Sequence, residues 1–131
     1  MSTDVRMLLI SGSLRFQSTN TAALRSAVRV APEGVRAVLF SGLADLPHFN
    51  PDDDGERLPP AAGELRAEIR RAGALLFSTP EYAGALPGSF KNLLDWTIGD
   101  DKPGSIYGKP VAWINVSPPY RGRAQRMQER R

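Results

Sequence analysis

The sequence predicts one α/β domain, a doubly wound parallel sheet with helices on both faces. Short, continuous apolar runs recur at residues 5–10, 35–40, 74–79 and 111–116, as expected of strands buried on both sides. Helical patterns lie between them, the alternation that builds parallel sheets. Right-handed crossovers then bring the strand C-terminal ends to one edge. The polar loops after the first, third and fourth strands share that edge, where ligands bind in open α/β sheets.

Each element has its own signal. After strand 5–10, a helix is expected over 21–30, with Ala22, Ala23, Leu24, Ala27 and Val28 as its apolar face and Pro32 and Gly34 beyond its end. Residues 35–40 form the second strand. Residues 41–58 read as loop, with Pro47, Asn50-Pro51 and the run Asp52-Asp53-Asp54-Gly55. Consecutive aspartates point in different directions and make a poor metal cage, so a solvated loop is expected. In the helix at 60–72, Leu65 and Ile69 face inward, Glu64, Arg66, Glu68 and Arg70 lie on other faces, and Gly73 is the stop. The third strand is 74–79. A helix follows over 87–98, with Phe90, Leu93, Leu94 and Ile98 along one side and Pro87 suited to its first turn. Lys91 and Asp95 are spaced as a surface pair, and Trp96 belongs to the core or to a subunit contact. The turn 99–104 leads to the fourth strand, 111–116.

Composition excludes several chemistries. A chain of 131 residues can bury a sizeable core as one domain, residues 1–131. It has no cysteine, which removes disulfides, thiolate catalysis and cysteine–zinc sites. His48 is the only histidine, which argues against histidine-rich metal sites; no metal site is expected. No apolar run approaches the roughly 20 residues that cross a bilayer, and the N-terminus lacks an export-signal pattern. The expected location is therefore cytoplasmic. The net charge is +3, but the excess sits in Arg121, Arg123, Arg126, Arg130 and Arg131, and the rest of the chain is near balance. No basic stripe interleaves with aromatics, so neither nucleic acid nor membrane is expected as a partner.

Two loops carry the chemistry. After the first strand come Gly12, Ser13, Arg15, Ser18, Thr19 and Asn20. A buried strand, a small polar loop and a helix N-terminus make an anion pocket, because first-turn N–H groups lack partners and the helix dipole favours negative charge. Hydroxyls and the planar Arg15 fork add donors. A plainer possibility stands beside it: Ser18 or Asn20 only caps the helix, and Arg15 is solvated. The third strand exits into Ser78-Thr79-Pro80-Glu81-Tyr82-Ala83-Gly84, whose backbone N–H groups beside Tyr82 can grip the edge of a flat polar ring. A charge-assisted hydrogen bond is worth about 1.5–3 kcal/mol and association costs about 4–15 kcal/mol. A phosphate attached to a stacked, edge-bonded ring therefore suits the layout better than free phosphate.

Gly12-Ser13-Leu14-Arg15 followed by Ser18-Thr19-Asn20 resembles the phosphate loop of the NAD(P)H-dependent FMN reductase family, a flavodoxin-like group that includes quinone, azo-dye and chromate reductases. Residues 79–96, from Thr79-Pro80-Glu81-Tyr82-Ala83-Gly84 to Leu94-Asp95-Trp96, are similar to that family's second signature. The resemblance implies a flavodoxin-like sheet of order 2-1-3-4. It implies that Ser13, Arg15, Ser18, Thr19 and Asn20 hold the FMN phosphate. Pro80, Glu81, Tyr82, Ala83 and Gly84 would line the isoalloxazine, and Ser117 would approach it from the fourth loop. Many relatives carry Asn or His where this chain has Ala83, which leaves only backbone donors at that position. The implied activity passes a hydride from NAD(P)H to bound FMN and on to a flavin, quinone or similar small acceptor. Backbone N–H groups at 81–84 would steady the charge near N1 and O2 of the reduced ring. No catalytic acid or base is assigned, and a homodimer or homotetramer is implied.

Relatives continue past the fourth strand through a helix, a fifth strand and a last helix. Here Pro118-Pro119-Tyr120-Arg121 replaces a glycine-rich turn, and the sequence given reaches Arg131. The expectation is a sheet without its usual fifth strand or C-terminal βα unit, leaving strand four as an exposed edge. Two alternatives follow: a flavodoxin-type electron carrier that ignores NAD(P)H, and a shortened remnant that binds no flavin.

Overall fold

Leu8, Leu9 and Ile10 have no exposed surface, and the rest of the sheet is laid out from that run. The computed structural model describes residues 4–15, 18–81 and 84–114. Its elements are β1 (Val5–Ser11), α1 (Thr19–Arg29), β2 (Val35–Leu39), α2 (Pro60–Arg71), β3 (Ala74–Ser78), α3 (Gly88–Ile98) and β4 (Val111–Ile114). The strands pair in parallel in the order β2-β1-β3-β4, the flavodoxin-like order expected. Short 3-10 turns at Leu43–Asp45 and Pro51–Asp53 interrupt the long connection after β2.

The two faces differ. Register places Leu8 beside Leu75 and Ile10 beside Phe77. These four share one buried cluster with Leu65 and Ile69 of α2 and Phe90, Leu93 and Trp96 of α3. On the opposite face, Leu9 and Leu24 are fully buried, yet Met7, Ala37, Leu39 and Leu76 remain half-buried. Among the described residues, α1 is the helix on that side. A helix is about 10 Å wide and strands lie about 4.8 Å apart, so one helix covers about two strands. β4 is the outer strand of the described sheet. Its Trp113 packs edge-on against Phe77 and Phe90, at 5.0 and 5.6 Å between ring centres, while keeping 52% of its surface exposed.

Several local expectations are corrected. Helix α1 begins at Thr19, two residues earlier than its apolar pattern, because the Ser18 hydroxyl accepts from the Asn20 and Thr21 N–H groups and starts the turn. Gly73 is not a left-handed stop: Ala72 turns to extended backbone (ψ 140), and the Gly73 N–H joins the Arg6 carbonyl at 2.7 Å. Arg66, expected on a face away from the core, is 6% exposed and pairs with Asp54 at 3.0 Å. Only Asp52 and Asp53 of the acidic run are exposed. Ile98 and Val28, expected on the apolar faces of their helices, are 59% and 38% exposed. Lys91 pairs with Asp95, and Trp96 lies in the core.

The long connection after β2 is tied to α3 by side chains that imitate a strand partner. Asn92 accepts from the Phe49 N–H at 2.8 Å and donates to the Pro47 carbonyl at 2.9 Å. The Trp96 indole N–H donates to the same carbonyl at 2.8 Å, and its ring meets Phe49 edge-on.

Candidate functional site

β1 and β3 are neighbours, and their last residues, Ser11 and Ser78, are in register. The loops that follow therefore leave the sheet side by side at its C-terminal edge. Gly12 makes the contact possible. Its N–H donates to the Ser78 carbonyl at 2.8 Å, and a Cβ there would stand 2.4 Å from Thr79 Oγ1 and 2.6 Å from Thr79 Cβ. Only glycine allows the first loop to lie this close to the second.

The first loop is folded by its own hydroxyls. Thr21 Oγ1 donates to Ser11 Oγ at 2.8 Å. Ser11 Oγ also accepts from the Ser13 N–H, and Ser13 Oγ from the Arg15 N–H, both at a long 3.3 Å. Ser18, 6% exposed, holds the Asn20 and Thr21 amides at 3.2 and 3.3 Å, and its carbonyl accepts from Ala22. The Thr19 amide is outside this cap. No acidic residue occupies the first turn of α1, so nothing there opposes an anion. Arg15 is exposed and takes part in none of the described ion pairs.

Hydroxyls, an exposed guanidinium and a helix N-terminus without carboxylates form a donor set that fits a phosphate monoester. The long bonds fit it too. Contacts of 3.2–3.3 Å are weak and can give way to charge-assisted bonds worth about 1.5–3 kcal/mol each.

The sequence-derived residues are distributed as follows. Ser13, Arg15, Ser18, Thr19 and Asn20 gather around the turn from β1 into α1. Asn20 points inward: it is 2% exposed and its Oδ1 accepts from the Ser78 hydroxyl at 2.8 Å. Pro80 and Glu81 begin the second loop, Pro80 half-buried and Glu81 exposed. Gly84 adopts φ 77, a left-handed conformation that favours glycine. Tyr82, Ala83 and Ser117 lie outside the described residues. Sequence reasoning placed Ser78 and Thr79 in the second loop without giving their side chains a role, and gave Ser11 none. Their signal was available: hydroxyl residues ending two apolar strands.

An open hollow of ≈ 500 Å³ lies elsewhere, between Pro47 and the start of α2, lined by Asp45, Glu64, Pro59 and Pro60. Its two carboxylates and lack of a basic group do not suit a phosphate. Among the described residues no group of His, Cys, Asp or Glu can hold a metal ion, and no helix is long and apolar enough to cross a membrane.

Comparison with known proteins matches the chain to a family. The model of the NADPH-dependent FMN reductases matches residues 5–131. An NAD(P)H-dependent FMN reductase of Pseudomonas aeruginosa is 41% identical over 118 residues, which are 89% of this chain and 62% of that protein. A quinone reductase of Pseudomonas putida is 36% identical over 118 residues, covering 90% of this chain and 63% of its own length. This chain thus spans about three-fifths of those relatives. Among solved structures, the flavoenzyme NAD(P)H:(acceptor) oxidoreductase FerB of Paracoccus denitrificans superposes with a TM-score of 0.78 at 31% identity, over 96% of this chain and 70% of that one. This chain belongs to the NADPH-dependent FMN reductase family.

Proposed function

We propose that this chain binds FMN across the turns after β1 and β3 and works as an FMN-dependent oxidoreductase. NAD(P)H is the electron donor, and a flavin, quinone or similar small molecule is the acceptor. The observation that carries the reading is the seat of Gly12 against Thr79 and Ser78. It sets the hydroxyl-rich turn before α1 directly beside the start of the second loop, which supports one ligand shared by both. Family membership supports FMN as the ligand of that pair of loops.

In this reading Ser13, Arg15, Ser18 and Thr19 hold the phosphate, with Asn20 behind them. Pro80, Glu81, Tyr82, Ala83 and Gly84 line the ring, and Ser117 approaches from the loop after β4. Bound FMN supplies the two-electron redox chemistry. The protein's part is positional. The α1 N-terminus and Arg15 neutralise the phosphate, which is worth about 0.3–2 kcal/mol for the dipole alone. N–H groups of the second loop would serve the polar edge of the ring, where negative charge gathers on reduction. A homodimer or homotetramer in the cytoplasm belongs to the same proposal, which light scattering and fractionation test.

The deciding measurement is a visible spectrum of purified protein mixed with FMN, before and after anaerobic NADPH. A yellow complex bleached by NADPH is expected. A colourless protein whose melting temperature ignores FMN overturns the reading, since a ligand that binds the folded state must raise it. A yellow protein that NADPH leaves unbleached would be a carrier instead.

A further inference from the structure

Asn20 and Ser78 are separated by 58 residues and joined by a hydrogen bond of 2.8 Å. Both are shut away from solvent, at 2% and 0% exposure. Ser78 ends β3, just before the ring loop, and Asn20 is the second residue of α1, just after the phosphate loop. Two polar side chains at a buried strand–helix contact cost stability unless they satisfy each other. Once paired, they fix one relative placement where apolar side chains would allow sliding. The Gly12 N–H on the Ser78 carbonyl lies at the same seam, so Ser78 grips the first loop from both ends, by main chain at Gly12 and by side chain at Asn20.

We infer that Asn20 is a positioning residue, which sets the spacing of the two flavin loops through Ser78 and does not itself hold the phosphate. This rests on the FMN reading above and gives Asn20 a different task from its loop neighbours. The Asn20 amide keeps two Nδ2 donors, but the residue is 2% exposed and its Oδ1 is held by the Ser78 hydroxyl, which directs the side chain toward β3. A phosphate needs donors, and the neighbours with accessible ones are Arg15, Ser13 and Thr19. A residue that positions both loops affects phosphate and ring alike. A residue that touches only phosphate affects FMN and spares riboflavin.

The test compares Asn20→Ala, Ser78→Ala and the double variant, with Ser78→Thr as the variant that keeps the hydroxyl. Each alanine variant should bind FMN about tenfold more weakly, the loss expected when one buried partner is left unpaired. Riboflavin should weaken by a similar factor. The double variant should lose little beyond the worse single one, and Ser78→Thr should bind as wild type. Loss of FMN affinity with riboflavin unchanged in Asn20→Ala overturns the proposal, as does a Ser78→Ala variant that binds normally.

A second readout needs no flavin. In the flavin-free protein, Asn20→Ala should speed hydrogen exchange at the Gly12 amide about tenfold, with the Leu75 amide, bonded to Pro110 in the sheet, unchanged. A general loss of stability would speed both. Equal protection of Gly12 in variant and wild type overturns the positioning role. If wild type binds no flavin, that overturns the FMN reading, and the exchange measurement still decides the seam.

Discussion

Arg66 donates two guanidinium N–H groups to the main-chain carbonyl of Trp96, at 2.9 and 2.8 Å, and pairs its remaining nitrogen with Asp54 at 3.0 Å. One side chain thus caps the last turn of α3 and holds the long connection after β2. Arg66→Ala leaves a carboxylate and a carbonyl without their partner in a site that is 6% exposed. Removing one member of a buried pair costs about 3–5 kcal/mol. Because Asp54 keeps some contact with water (18% side-chain exposure), about 3 kcal/mol is expected, measured by urea unfolding. Arg66→Lys should recover little, since an ammonium cannot reproduce the planar fork.

Gly99 shares that clamp. Its backbone is ordinary right-handed (φ -70), so the restriction is one of space. A Cβ would stand 2.0 Å from Asp54 Oδ2 and 3.0 Å from Arg66 Nη2. Gly99→Ala should therefore displace the Asp54 carboxylate and cost about 1–3 kcal/mol by overpacking. In an Asp54→Ala background the same change should cost nearly nothing. A full cost in both backgrounds would mean that Gly99 is restricted by something other than the ion pair.

Lys109 caps α2 in a similar way, its ammonium donating to the Ile69 and Ala72 carbonyls at 2.6 Å each. Lys109→Met should cost about 1–2 kcal/mol at neutral pH, from the lost carbonyl bonds and helix-end charge. Burial, and secondly the charge of Arg70, lowers the Lys109 pKa. The folded chain then releases this proton before the unfolded chain does. Between the lowered folded value and the ordinary lysine value the unfolded state binds more protons, so stability rises with pH there. Unfolding titrations should show that alkaline rise in wild type and its absence from Lys109→Met.

How far the sequence carried depends on which signal each feature leaves. Strands were legible because runs such as Leu8-Leu9-Ile10 need no knowledge of their neighbours, and the strand order followed from the resemblance. The first turn of α1 was not, because Thr19 and Asn20 are polar and periodicity counts apolar residues. Arg66 reads as solvated in any helix, and only Asp54 and the Trp96 carbonyl, brought in by folding, make it a core residue. The same limit applied at the site. The hydroxyl-rich turn before α1 was legible, whereas Ser78 gains its meaning only when Asn20 is set against it. Asn92 and Trp96 fell within a recognised signature, yet their bonds to Pro47 and Phe49 could not be read from that run.

The approach of the two loops gives a sharper prediction. A Cβ on Gly12 would meet Thr79 Cβ at 2.6 Å and Phe90 Cβ at 3.1 Å. Neither is the far end of a flexible chain, so backbone must shift. Gly12→Ala should weaken FMN binding by more than tenfold and cost about 1–3 kcal/mol of stability. Flavin fluorescence titration and urea unfolding measure the two losses. Unaltered affinity would show that the spacing of these loops does not matter to the ligand.

Arg15 separates charge from shape. It is exposed and outside the described ion pairs, so Arg15→Ala should leave the melting temperature of the flavin-free protein unchanged. If its fork meets the phosphate, the variant loses charge-assisted bonds worth about 1.5–3 kcal/mol each, and FMN affinity falls by more than tenfold. Riboflavin, which has no phosphate, should bind wild type and variant alike. Arg15→Lys should recover only part of the loss, keeping the charge but not the bidentate geometry. Raising the salt concentration should weaken wild-type binding more than that of Arg15→Ala, because an exposed charge is screened. An equal loss for riboflavin and FMN would place Arg15 in the shape of the loop, and the phosphate would then depend on the α1 N-terminus and the hydroxyls.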